Sequence, residues 1–208
     1  RYLASVNHLA DISNWTLVIN DGKAFLGSTD KKFDLVVMDV PAPTTIQLGL
    51  IHSVEFYELV RSRLTPHGVI SVSLSGRLAT GRETPLTVAS ALLKAFPEMI
   101  AYNAEDAKRG FAVAGNSLPF SKKEIVEAAE ALGSKDMQVF SRAEVADIVG
   151  NTAPMTADNM RLIVARSWRH VRDAGADGDR RGIHDQAERI ALAAGGQLEQ
   201  RAREEVIQ

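Results

Sequence analysis

Two aspartates stand where an apolar run gives way to a loop, and both have the chemistry of a ligand site. Asp39 follows Phe33-Asp34-Leu35-Val36-Val37-Met38 and precedes Val40-Pro41-Ala42-Pro43. Such a run, closed by prolines, reads as a buried parallel strand. Ligands of open α/β sheets sit beyond the carboxyl ends of the strands, which is where Asp39 falls. A carboxylate there can orient or deprotonate an amine, or hold a metal. It can equally cap backbone amides at the sheet edge. Asp21 lies in Asn20-Asp21-Gly22, after the short run Trp15-Thr16-Leu17-Val18-Ile19. It can accept hydrogen bonds from an exocyclic amine or a ribose hydroxyl. Asp-Gly is also a common turn signal, in which the two residues only supply the backbone conformations.

Other chemistries are excluded. The chain has no cysteine, so thiolate catalysis, disulfides and cysteine-based zinc sites fall away. His8, His52, His67, His170 and His184 share no metal-ligand spacing, which leaves them surface or packing roles and predicts no metal site. No Gly-x-Ser-x-Gly elbow and no phosphate-binding Gly-Lys-Thr/Ser loop occurs. Net charge is −2, without strong clustering of Lys and Arg, so no nucleic-acid partner is expected. Trp15, Phe56, Tyr57 and Trp168 read as core or interface aromatics. No uninterrupted apolar stretch of these residues is long enough to span a membrane, and no signal peptide is expected among them.

The elements that must position the carboxylates follow from local signals. The 208 residues suffice for one domain with a small appendage. Helical spacing of Tyr2, Leu3, Val6 and Leu9 predicts a helix end over 1–12. Strands are expected at 15–19, 34–39, 69–74, 99–102 and 110–114. Residues 23–26 suit one helical turn, and 41–50 a loop. Ser53 suits an N-cap for a helix through Leu64, with Glu55 in its first turn, and Thr65-Pro66-His67-Gly68 stops it. Thr84-Pro85 suits a cap and first position for a helix to Ala95. Ser121 with Glu124, and Ser141 with Glu144, form capping boxes that open two short helices. Residues 160–172 read as helical, 173–182 as a linker, and 183–208 as a charged helical tail. We therefore divide the chain into a domain over 1–172 and a linker with tail over 173–208. Strands alternating with helices predict a doubly wound α/β fold, with a mostly parallel sheet covered on both faces.

The segment DLVVMDV followed by proline resembles the phosphoacceptor strand of receiver domains. The acidic pair and the Lys-Pro which that family needs are missing, so this reading is set aside. A longer collinear series fits another family. "VINDGKAFL", then "KKFDLVVMDVPAPTT", then "HSVEFYELVRSRLTPHGVISVSL" resembles the polyamine aminopropyltransferases, the spermidine synthase-like family. The likeness is closest to a bacterial branch fused to membrane-spanning segments, whose loop reads like "DVPAPTT". It covers residues 1 to about 115. More loosely, "PMTADNMRLIVARSW" resembles the Asn/Thr-Asp-x-x-Pro segment near that family's end.

The resemblance implies a Rossmann-like, class I methyltransferase-type fold and aminopropyl transfer to an amine. The donor would be decarboxylated S-adenosylmethionine, with methylthioadenosine leaving, and no cofactor bound permanently. Asp21 is similar to the adenine-reading carboxylate, with Gly22 allowing close approach. Asp39 is similar to the residue that orients the attacking amine and takes its proton. There are departures. Ala42 stands where a second Asp helps hold the polyamine cation. Ser71 to Ser75 replace the glutamine usually found after the Gly-Val strand. The Gly-rich loop of the first strand and the acidic end of the second are not in this chain.

That last departure bears on the sheet. The family's strand order, 3-2-1-4-5-7-6, makes 15–19 the third strand and 34–39 the fourth. With two strands missing between them, they would stand about 14 Å apart, at ~4.8 Å per strand step. Both edges would be left with unpaired amides. We therefore expect the fold to be incomplete at its N-terminal side. An upstream segment or a partner chain is expected to complete the sheet, within a membrane-protein complex or a homo-oligomer. The first residue, Arg, points to a longer product, cytoplasmic or membrane-associated through that segment or partner. The alternative is a non-catalytic structural or interaction subunit descended from this fold. A methyltransferase of the same fold is a third reading.

Overall fold

The computed structural model describes residues 16–104, 108–134 and 137–159. The expected helices over 1–12 and 160–172, the linker, the tail, Trp15 and Trp168 lie outside those residues.

Local capping signals place the helices. α1 (Gly22–Ser28) begins at Asp21, whose Oδ1 accepts from the Ala24 amide at 2.8 Å. β1 (Phe33–Met38) follows. The expected loop over 41–50 contains a short helix, α2 (Ile46–Leu50), capped by Thr45. α3 (Val54–Arg63) begins at Ser53 as its sequence predicts. Glu55 in its first turn and Arg61 and Arg63 in its last complement the helix dipole. It buries Val54, Phe56, Tyr57 and Val60 on one side. α4 (Glu83–Ala95) starts two residues earlier than the Thr84-Pro85 cap suggests, with Arg82 at the cap position. Pro85 is tolerated in the first turn because the amides there have no helical partner. α5 (Lys122–Ala131) and α6 (Arg142–Val149) both open with the predicted capping boxes. Lys122 reaches from α5 to Glu144 of α6, with Nζ to Oε2 at 2.7 Å. This contact, aided by Ser141, holds the Glu144 carboxyl down to about 2.

Five strands form one sheet in the order β1-β2-β4-β3-β5. β2 is Leu64–Ser73, β3 Glu98–Asn103, β4 Gly110–Gly115 and β5 Gln138–Phe140. β1 and β2 are parallel, with Val36 opposite Ile70 and Met38 opposite Val72. The pairs β2–β4, β3–β4 and β3–β5 are antiparallel. The expectation of a mostly parallel sheet is thus corrected. β1–α3–β2 and β2–α4–β3 are helical crossovers between strands of like direction, but β4 runs back between β2 and β3, because a short connection after β3 reverses the chain. In chain order the first four strands reproduce the 4-5-7-6 part of the expected order. β5 was not foreseen, because three residues carry too little periodicity to read.

The core lies on one face of this sheet. α1, α3, α4 and α6 pack in succession on one another, and α3, α4 and α6 pack on the strands. Val36 and Met38 of β1, Ile70 and Val72 of β2, and Ala112 and Ala114 of β4 join them in one cluster. α4 is the central helix, buried from Thr84 through Leu92 and again at Ala95. Alanines on both α4 and β4 let helix and sheet approach closely.

Two expectations about the sheet edge are corrected. Residues 16–19 form no strand, and Leu17 and Ile19 are 68% and 90% exposed. A strand exists only when a neighbour satisfies its amides, and no described residue offers one. β1, expected to be buried on both faces, exposes Leu35 and Val37 by 56% and 66%. Among the described residues it pairs on one side only, with β2.

Candidate active site

The β1 end of the sheet is organised by three connections. Arg63, at the C-terminal end of α3, donates from Nε to the Leu26 carbonyl at 2.9 Å and from Nη2 to Gly27. Lys32 donates to the Ser62 carbonyl. The last turns of α1 and α3 and the starts of β1 and β2 therefore meet at one end. The N-terminus of α3 and the carboxyl ends of β1 and β2 lie at the other.

Asp39 sits at that other end, one residue past β1, and is exposed. Continuing the register of Met38 with Val72 sets it beside Ser73 of β2. It makes no hydrogen bond or ion pair with any described residue. The loop behind it is tightly made. The Thr44 amide donates to the Ala42 carbonyl at 2.7 Å, and Pro43 is buried. Ala42 is half-buried in this turn.

Asp21 lies one helix length, about 10 Å, back from the end of α1 that Arg63 anchors. Its carboxylate serves as an N-cap, the structural alternative that its sequence context left open. One oxygen is engaged with Ala24, and the residue is exposed. No hydrogen bond joins Asp21 to Asp39. A Cβ placed on Gly22 would meet no atom within 4 Å, and its backbone is helical, so neither turn geometry nor packing requires glycine there. Among the described residues no group of His, Asp or Glu is arranged to hold a metal.

His52 is the residue that sequence reasoning undervalued. It is buried, as a packing role predicts, but its ring also faces the Asp39 loop. Nδ1 is 3.0 Å from the Tyr57 hydroxyl, and Nε2 is 3.4 Å from the Pro41 carbonyl. The five-residue spacing of His52 and Tyr57 across a helix start was the only available signal. Burial lowers the ring's pKa to about 4, with the Pro41 carbonyl opposing. An unfolded histidine titrates near 6.5. The stability owed to a neutral His52 is therefore complete above about pH 6.5 and is lost as pH falls through 4. Denaturant unfolding should show a loss of about 3 kcal/mol from this group across that window. His52→Gln should flatten the slope.

A separate cavity of about 250 Å³ lies beside the start of α4, lined by Glu83, Thr87, Asn151, Met155 and Asn159 among others. None of its lining residues belongs to the Asp39 loop. No described helix is long and apolar enough to cross a membrane.

An α/β fold with an exposed carboxylate beyond a parallel strand is a Rossmann-like frame, and comparison narrows it. Residues 1–103 match the spermine/spermidine synthase domain. A polyamine aminopropyltransferase of Oceanobacillus iheyensis is 34% identical over 73 residues, covering 35% of this chain and 14% of that protein. Among solved structures, a probable spermidine synthase from Corynebacterium glutamicum superposes with a TM-score of 0.58 at 16% identity. It covers 74% of this chain and 60% of that one. A spermidine synthase in complex with the transition-state analogue AdoDATO gives 0.50 at 16%, covering 72% and 52%. The chain therefore spans about half to three-fifths of those structures, and the match to the curated relative is shorter still. The likeness to the spermine/spermidine synthase domain thus rests on residues 1–103, just under half of the chain.

Proposed function

We propose that this chain supplies the acceptor half of an aminopropyltransferase site. The reaction moves an aminopropyl group from decarboxylated S-adenosylmethionine to an amine. The observation that carries the reading is Asp39, exposed and unengaged at the carboxyl end of β1 in a chain with this likeness. An amine attacks only when neutral. Its nitrogen bonds to the aminopropyl carbon next to sulfur, and the C–S bond breaks. The sulfonium charge is neutralised as methylthioadenosine leaves. The new ammonium loses a proton, which Asp39 accepts while holding the nitrogen in line. Asp21 reads the nucleoside with the oxygen its cap leaves free, and Gly22 lets the base approach the backbone. The donor is a substrate and leaves as product, so no resident cofactor is required.

The rest of the donor site comes from beyond β1. We propose that a further strand, from another segment or a partner chain, pairs with the open edge of β1 and covers Leu35 and Val37. Bare strand edges are costly and prone to association, which supports such a partner. Hydrogen exchange of the β1 amides should slow when that partner binds; unchanged exchange would sink this part. The proposed compartment is cytoplasmic, with any membrane association made through that segment or partner.

Calorimetry with methylthioadenosine on the native polypeptide tests the nucleoside reading. Asp21→Ser keeps an N-cap and removes the carboxylate. It should abolish binding without unfolding α1, and unchanged affinity would refute the assignment. Gly22→Ala should stabilise the fold by about 0.5 kcal/mol, since the space is open and the unfolded chain loses freedom. It should nonetheless weaken nucleoside binding, a combination that packing alone does not produce.

A second reading is supported by Ala42, which brings no charge to a polyamine, and by Asp21 already acting as a cap. In it the chain is a non-catalytic subunit of a larger assembly. Absence of both nucleoside binding and transfer would favour it.

A further inference from the structure

We propose that His52, set by Tyr57, is a positioning residue for Asp39. It pins the carbonyl of Pro41 and so fixes how the chain leaves β1. The inference rests on the catalytic reading of Asp39, but its geometry stands apart from that reading.

Tyr57 is fully buried, and among the described residues the only hydrogen-bonding partner its hydroxyl has is Nδ1 of His52. Burial pushes this phenol well above its ordinary range, so it remains O–H. A buried hydroxyl must donate, and Nδ1 must therefore accept. Nε2 then carries the proton and donates to the Pro41 carbonyl at 3.4 Å. The opposite tautomer would leave the phenol hydrogen without an acceptor and set a nitrogen lone pair against the carbonyl oxygen. The tautomer thus follows from the partners.

The anchor is itself rigid. His52 immediately precedes Ser53, the N-cap of α3, and its amide donates to the Gly49 carbonyl at 3.0 Å. The Val54 amide donates to Met155 at 2.9 Å, and Glu55 accepts from Ala157 at 2.9 Å. Pro41, in contrast, is exposed and has no amide hydrogen. Past Met38, the last residue of the ladder, its carbonyl is the first backbone group that a buried side chain among the described residues holds. Only Val40 separates that grip from the carboxylate, so a shift at one re-aims the other.

Three variants of the native polypeptide separate positioning from packing. His52→Met fills the space without a donor. Tyr57→Phe keeps the ring and releases the tautomer. His52→Gln keeps a donor within reach of Pro41. Amide exchange over residues 39–45 should rise roughly tenfold in His52→Met and Tyr57→Phe, the yield of about one lost hydrogen bond. His52→Gln should restore it to near the wild-type rate. Exchange in α4 and β4 should stay unchanged. Where transfer is measured, kcat should fall with the same ranking while KM for the donor holds.

Equal exchange over 39–45 in wild type and both disrupted variants would overturn the proposal. So would a rise spread evenly over the core, or a His52→Gln variant as loose as His52→Met. The exchange experiment needs no turnover, so a wild type without transfer activity would sink the catalytic reading and leave this test intact.

Discussion

Asp39→Asn should cut aminopropyl transfer by between about 10²- and 10⁴-fold, the range for loss of a positioned general base. The substitution keeps shape and polarity but removes the charge that aligns the amine and the lone pair that takes its proton. Stability should not follow activity down. Asp39 is exposed and holds no other described residue, so its replacement strands no partner. Methylthioadenosine affinity should also be unchanged, because the nucleoside is assigned to Asp21 and Gly22. The measurement is a kcat profile with paired melting and calorimetry. Loss of activity matched by loss of melting temperature would mean that Asp39 holds the loop. Full activity in the asparagine variant would remove it from the chemistry.

Gly68→Ala should destabilise the fold by about 3 kcal/mol, the upper range for forcing atoms into a filled space. β2 begins at Leu64, but its pairing with β1 is irregular: Phe33 faces Leu64, and Leu35 already faces Val69. Residues 65–68 loop out between those two pairings, and Gly68 returns the chain to the ladder. A Cβ there would lie 2.5 Å from the Phe33 carbonyl oxygen and 2.9 Å from the Thr65 amide nitrogen. Both are backbone atoms, which cannot swing aside as a side chain can. Relief would have to come from the β1–β2 pairing, which carries Asp39. Thermal melting should drop by about 6–12 °C for a domain of this size. Gly27→Ala, with no atom within 4 Å of the added carbon, is the control and should cost nothing. Equal melting of the two variants would show that the close approach at Gly68 is not maintained in solution.

The sequence by itself determined the features whose causes lie within a few residues. Ser53, Ser121 and Ser141 cap helices that the structure contains, because a hydroxyl reaches an amide three positions on. The apolar run into Asp39 marked a strand end, because strand and boundary are written consecutively. The likeness to one family, and through it the order of four strands, was legible for the same reason: the motifs are collinear with the chain.

The tertiary structure alone decided what depends on distant partners. Residues 16–19 read as a strand, yet pairing needs a neighbour that no local pattern supplies. Antiparallel pairing of β2 with β4 joins residues some forty positions apart, and alternation along one strand is silent about its neighbour's direction. Gly68 looked like punctuation at a helix end, and only the approach of Phe33 makes its missing side chain a requirement. His52 looked like one unremarkable histidine among five. Folding α3 against the loop after β1 buried it, fixed its proton and aimed it at Pro41. The carboxylate was visible in the sequence, whereas the residues that aim it were not, because aiming is done across the fold.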